Sequence, residues 1–159
     1  MSNAVSTATT EDEASLDAIG RLPTQWADAV ATLASDAVQR RPIAEMWSIA
    51  EYTDHVREVL FGMRFVLDSA VAQPGIDLGD APEPELAPVP RAIEISAALA
   101  GIDREANALR DRLGELAEPA WSLAATVAGD EVDAHWICRH AVHDGTHHLQ
   151  DVDRLRRAL

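Results

Sequence analysis

His135-Trp-Ile-Cys-Arg-His-Ala-Val-His-Asp-Gly-Thr-His-His148 holds five of the chain's six histidines. An apolar series runs through and beyond it. Cys138, Ala141/Val142, Gly145, Leu149, Val152, Leu155 and Leu159 recur at three-and-four spacing, the mark of an amphipathic helix. The sixth histidine, His55, stands alone in an earlier segment of the same periodicity. Histidine is the commonest metal ligand and the natural base near neutral pH. A cluster on one helix with a single partner on another is how helical bundles assemble metal sites from facing side chains.

The rest of the chain reads as the scaffold for those two helices. At 159 residues it forms one domain with a core of its own. Apolar residues make up 47% and aromatics only 4%, which favours a helical bundle over a sandwich or barrel. Residues 1–13 are small, polar and acidic and are expected to form a disordered tail, with the bundle domain over 14–159. A short helix near Ser15–Ile19 is expected to close at Gly20. A firmer one should start at Pro23, turn Trp26, Ala29, Val30, Leu33 and Ala37 inward, and stop at Arg40-Arg-Pro42. Ser48-Ile-Ala-Glu51 is a capping box, in which serine and glutamate satisfy free backbone donors. The helix it opens carries Ile49, Tyr52, Val56, Leu60, Met63 and Leu67 inward and fades at Gln73-Pro-Gly75, with His55 at the edge of its stripe. Residues 74–90 contain five prolines and two glycines and cannot be a regular element. Such a long connection serves as a lid, as a site wall or as plain surface. A third helix is expected from about Arg91 to Leu116 and a fourth from about Asp133 to the end. The predicted fold is all-α, an up-and-down-type four-helix bundle with a long connection between helices two and three.

Two pairs on the last helix have chelating i, i+4 spacing, His143/His147 and Asp144/His148. With Gly145 placed at zero on the wheel, His148 falls at about −60° and Asp144 at about −100°, at the edge of the apolar face. His143 and His147 fall at roughly 160° and 200°, on the far side. Spacing alone favours His143/His147 and the wheel favours Asp144/His148; the register stays open by one residue. His55, Asp144 and His148 together leave a coordination position free, as catalytic sites do, and suit zinc, iron, nickel or manganese. Gly145 costs about 1 kcal/mol in mid-helix, which a close approach by a partner helix or ligand would explain. His135, His140 and His143 read as solvated, Trp47 and Trp136 as packing, and Cys138 as a small buried hydrophobe. Arg64 and Arg139 each suit an anionic substrate or a surface acid equally.

Composition removes several classes. A net charge of −14 argues against nucleic acid, whose phosphates would be repelled. No apolar run is long enough to span a membrane. The N-terminus lacks the pattern of a signal peptide, and a single cysteine points to the cytoplasm. All thirteen basic residues are arginine, a composition that agrees with a GC-rich source.

With these residues in view the sequence resembles the DinB superfamily of four-helix metalloenzymes, which includes the mycothiol-dependent maleylpyruvate isomerases. Trp47-Ser-Ile-Ala-Glu-Tyr-Thr-Asp-His55 is similar to the family's second-helix segment, where a tryptophan precedes the first metal histidine by eight residues. Asp144-Gly-Thr-His-His148 is similar to the fourth-helix segment, where a ligand precedes a double histidine whose second member binds metal. The resemblance implies His55, Asp144 and His148 as ligands of a divalent metal, with zinc first. Most members have histidine at the position of Asp144, and the mycothiol-dependent isomerases have glutamate there; aspartate is one methylene shorter. It further implies a thiol-dependent S-transferase or isomerase acting on a small electrophile with a thiol such as mycothiol, and a homodimer. In that reading His147 is the nearest base and Arg64 the cofactor-binding cation. Metal-dependent hydrolysis is the alternative, and a metal-binding or structural bundle without catalysis is the third possibility.

Overall fold

The computed structural model describes residues 8–159. Four long helices build the bundle: α1 (Thr10–Val30), α3 (Ile49–Ala72), α4 (Ile95–Gly114) and α5 (Ala134–Arg156). A five-residue helix α2 (Ser35–Gln39) lies between the first two. A 3₁₀ turn (Glu118–Ser122) and a hairpin of β1 (Ala125–Val127) and β2 (Asp130–Val132) lie between the last two.

The N-terminal helix differs from the sequence expectation. The two pieces expected around Gly20 are one continuous helix, and it starts at Thr10. Thr9 and Asp12 explain the early start: Thr9 Oγ1 accepts from Asp12 N at 3.1 Å and Asp12 Oδ2 accepts from Thr9 N at 2.8 Å. Residues 10–13 therefore belong to the bundle and not to the tail; residues 1–7 of the expected tail lie outside the described residues. Gly20 sits within the helix because Arg110 of α4 lies over it, and a Cβ there would come within 2.7 Å of the guanidinium Nη1. The helix then breaks after Val30, so Ala37 is buried from α2 and not from a continuation of α1.

Elsewhere the sequence reading holds more closely. α3 begins with the expected capping box, Ser48 Oγ accepting from Glu51 N at 3.1 Å and Glu51 Oε2 from Ser48 N at 2.8 Å. α4 starts four residues later than expected, where the Glu94 carboxylate caps Ser96 N and Ala97 N. The stretch after Trp121 turns through Ala128 and Gly129, both at positive φ, the backbone of a type I′ hairpin. Leu159, expected in the apolar stripe of α5, is exposed beyond its end.

Both α1 and α3 pack against α4 and α5, so α1 and α3 lie across one diagonal of the bundle and α4 and α5 across the other. A plain up-and-down order would put the first two long helices side by side; here the connection through α2 carries the chain across the diagonal. Trp26, Ile102, Leu109, Ile137 and Leu155, drawn from α1, α4 and α5, are fully buried in one core with Ile49 and Leu60 of α3. Gly145 is where α1 meets α5. A Cβ there would come within 2.8 Å of Leu22 Cδ2, and Trp26 Nε1 donates to Gly145 O at 3.3 Å. The close approach is therefore made by a partner helix. This arrangement sets α3 directly against α5, and with it the lone histidine against the cluster.

Candidate metal centre

His55 lies one turn beyond Glu51, and this glutamate of the α3 capping box fixes more than the helix. Glu51 is 2% exposed and accepts from Arg41 at 2.6 and 2.9 Å and from Arg91 N at 3.0 Å. Burial pulls its carboxyl upward, but the bonds from Arg41, Ser48 and Arg91 outweigh that and hold its pKa at about 2. One carboxylate thus ties α3, the segment before it and the end of the proline-rich connection.

That connection is built at both ends. Its first part runs alongside β1, with Leu78 N bonded to Thr126 O and Thr126 N to Ile76 O. Its last part is held by Trp47 Nε1, which donates to Glu85 O at 3.2 Å, by Arg41 donating to Ala87 O, and by Gln39, which bonds both N and O of Ile93. The middle, Ala81–Glu85, forms one wall of a cavity of about 710 Å³. Trp47, His55, Met63, Arg91 and Asp144 line the rest with Val59, Glu58 and His140. Of residues 74–90, those from Ala81 to Glu85 and Ala87 thus wall a cavity.

The wheel's choice of face agrees with the burial. Asp144 and His148 are half-buried, while His143 and His147 are exposed. The His148 ring meets the His55 ring edge-on at 5.0 Å between centroids, and Tyr52 lies beside it at 5.2 Å. Trp47 covers the other side of His55 at 4.9 Å. His55 and Asp144 line the large cavity, and His148 lines a smaller one of about 210 Å³ that shares Trp47 and Pro84 with it. Asp144 Oδ2 lies 3.3 Å from His140 Nε2, and His148 Nδ1 lies 3.0 Å from Asp151 Oδ2. Among the described residues, the three groups whose ligand atoms already lie within 4.8 Å of one another are His147, His148 and Asp151.

Donor chemistry tests whether a divalent ion suits this corner. Burial, then the neighbouring His148, hold His55 below the ordinary histidine range against the pull of Asp144, which favours its neutral form near neutral pH. Burial raises the Asp144 carboxyl, but the His140 bond and the charges of His140, His148 and His143 hold it below the usual range, so it is ionised. A neutral imidazole and an ionised carboxylate are the forms a divalent cation requires, and His55, Asp144 and His148 could hold one.

The sequence profile of the DinB superfamily matches residues 18–152. The chain belongs to the DinB superfamily. Among solved structures it is similar to YfiT from Bacillus subtilis, described as a probable metal-dependent hydrolase with an unusual four-helix bundle topology. That match has a TM-score of 0.81 at 11% identity and covers 99% of this chain and 92% of that one. No curated protein matches.

For this DinB-type chain the remaining side chains singled out in the sequence fall as follows. His147 is exposed and lines neither cavity. Arg64 bonds the buried Glu105 at 2.9 Å and does not line the cavity. His135 is not a solvated residue: its Nδ1 bonds the buried Asp12 at 2.7 Å. His140 bonds Asp144 and stacks on Trp136 at 4.2 Å. Trp47 is more than packing, since it covers His55 and anchors the loop. Cys138 is fully buried, and burial pushes its thiol up to about 12, as an inert hydrophobe requires. Sequence reasoning passed over Arg91 and Asp151. Arg91 lies where the loop returns, and Asp151 carried the i, i+3 relation to His148 as its one signal.

Proposed function

We propose that the chain is a metal-dependent enzyme whose ion is held by His55, Asp144 and His148, zinc being the ion assigned. The observation that carries this is the meeting of the His55 and His148 rings at 5.0 Å, with Asp144 in the wall of a 710 Å³ cavity. A divalent ion held there supplies Lewis-acid chemistry, lowering the pKa of a coordinated thiol or water. The protein's own side chains do the rest. Trp47, Val59, Met63, Pro82 and Pro84 give the cavity an apolar stretch of wall that suits the body of a small substrate. Arg91, paired with Asp54 at 3.6 Å, is the one arginine in that wall and offers a partner to an anionic group.

The nucleophile distinguishes two readings. Resemblance to the mycothiol-dependent isomerases supports a thiol attacking a small electrophile, in an S-transfer or isomerisation. The likeness to YfiT supports water, and hence hydrolysis. Metal content comes first, measured on protein purified without added metal. About one ion per chain is expected in the wild type and in His143→Ala, and its loss in Asp144→Ala. Turnover of electrophiles with and without a low-molecular-weight thiol then separates the two readings. A wild type that binds no ion even when supplied with zinc would falsify both.

A further inference from the structure

His148 has two nitrogens, and an ion can take only one of them. Its Nδ1 lies 3.0 Å from Asp151 Oδ2, a residue three positions on along the same helix. A carboxylate bonded to one ring nitrogen fixes the tautomer and leaves the other with its lone pair, the relation found behind metal-bound histidines generally. The ring is further fixed by Tyr52 at 5.2 Å and His55 at 5.0 Å, so it has little freedom to swing. His147 is 3.9 Å from the same carboxylate, beyond hydrogen-bond range, and its side chain keeps 58% of its exposure.

We propose that Asp151 is a positioning residue for the metal centre: it binds His148 Nδ1–H and so presents Nε2 to the ion shared with His55 and Asp144. This rests on the His55/Asp144/His148 reading above. It competes with a different use of the same residues, in which His147, His148 and Asp151 are themselves ligands of an ion, since their ligand atoms already lie within 4.8 Å of one another. Two features favour positioning. A site on one face of a single helix, with an exposed histidine, would leave His55 and Asp144 without use. It would also turn Asp151 from the hydrogen-bond partner of His148 into a ligand beside it.

The test is zinc affinity, measured by competition with a chromophoric chelator, on wild type, Asp151→Ala, Asp151→Asn, His147→Ala and His55→Ala. Nitrogen NMR of the metal-free proteins runs beside it and reports the His148 tautomer directly. Asp151→Ala is expected to weaken zinc roughly 10- to 100-fold with the stoichiometry kept. Asp151→Asn, whose amide oxygen still accepts from Nδ1, is expected to recover part of that. His147→Ala should bind within about twofold of wild type, and His55→Ala should lose the ion. The wild type should hold its proton on Nδ1, and Asp151→Ala should lose that preference. If His55→Ala loses zinc while Asp151→Ala binds like wild type, the positioning role is overturned and the metal site stands. If His55→Ala binds like wild type while His147→Ala and Asp151→Ala lose the ion, Asp151 is a ligand, and both the inference and the site it rests on fall.

Discussion

Two imidazoles of α5 hold a carboxylate through the same nitrogen, and the two pairs serve different ends. His135 Nδ1 bonds Asp12 at 2.7 Å, and His148 Nδ1 bonds Asp151 at 3.0 Å. Asp12 comes from the start of α1 and has no exposed surface; Asp151 comes from the same helix as its histidine, with 23% of its side chain exposed. The first pair joins the N-terminal ends of two helices, with Cys138 Sγ adding a weak bond to Asp12 O. The second joins nothing that the helix had not already joined, and its histidine stands between Tyr52 and His55 beside a cavity. In the reading proposed above, the origin and depth of the carboxylate separate a pair that holds the fold from one that orients a site.

The comparison is tested most strongly at its two carboxylates. Asp12→Ala removes the bond to His135 Nδ1 that joins two helices and the carboxylate half of the α1 capping box, and should cost about 2–4 kcal/mol in urea unfolding. Asp151→Ala should cost under about 1 kcal/mol in the same measurement, its effect going to zinc affinity instead. Equal losses of stability at the two positions would erase the distinction.

Glu51 extends the fold-holding class and is read by acid. Its folded pKa of about 2 lies below the ordinary 4.5, so its contribution is present in full above pH 4.5 and is lost as the pH falls toward 2. The expected loss is about 3 kcal/mol across that window. Asp12, also held below the usual range despite its burial, adds in the same sense. In Glu51→Gln the stability of the metal-free protein should be low throughout and flatter with pH. A slope unchanged from wild type would remove Glu51 from this class.

Gly145→Ala probes the seam where α1 meets α5. Helix propensity favours alanine by about 1 kcal/mol, but its Cβ would come within 2.8 and 2.9 Å of the methyls of Leu22, which is 1% exposed. Overpacking of this kind costs about 1–3 kcal/mol. A net fall of a few degrees in Tm is expected; a rise would mean that Leu22 has room to turn. The smallest effect belongs to His143, exposed on the far face. His143→Ala should change stability by less than about 0.5 kcal/mol and leave metal content unchanged.

Much of this was legible in the residues. The Ser48–Glu51 box, the stripe through α5 and the wheel position of Asp144 and His148 depend on spacing within one helix, and the backbone geometry of a helix turns spacing into direction. Gly20 and Pro23 misled for the same reason in reverse: they are local breakers, and packing of α1 against α4 and α5 overrode them. Asp12 looked like part of an acidic tail because nothing near it in sequence announces that His135, 123 residues away, will be its partner. Trp47 and Arg91 could not be assigned to the cavity, because each reaches it only once the loop has returned.

The sequence by itself therefore determined the class of the fold and the faces of its helices, and narrowed the ligands on the last helix to two pairs, through composition and periodicity along single elements. Only the tertiary structure decided the diagonal order of the bundle, the meeting of His55 with His148, the wall that residues 81–85 give the cavity, and the pairing of His135 with Asp12. Those are set by contacts between residues far apart in the chain. Their geometry depends on how whole helices pack, and no local pattern carries that information.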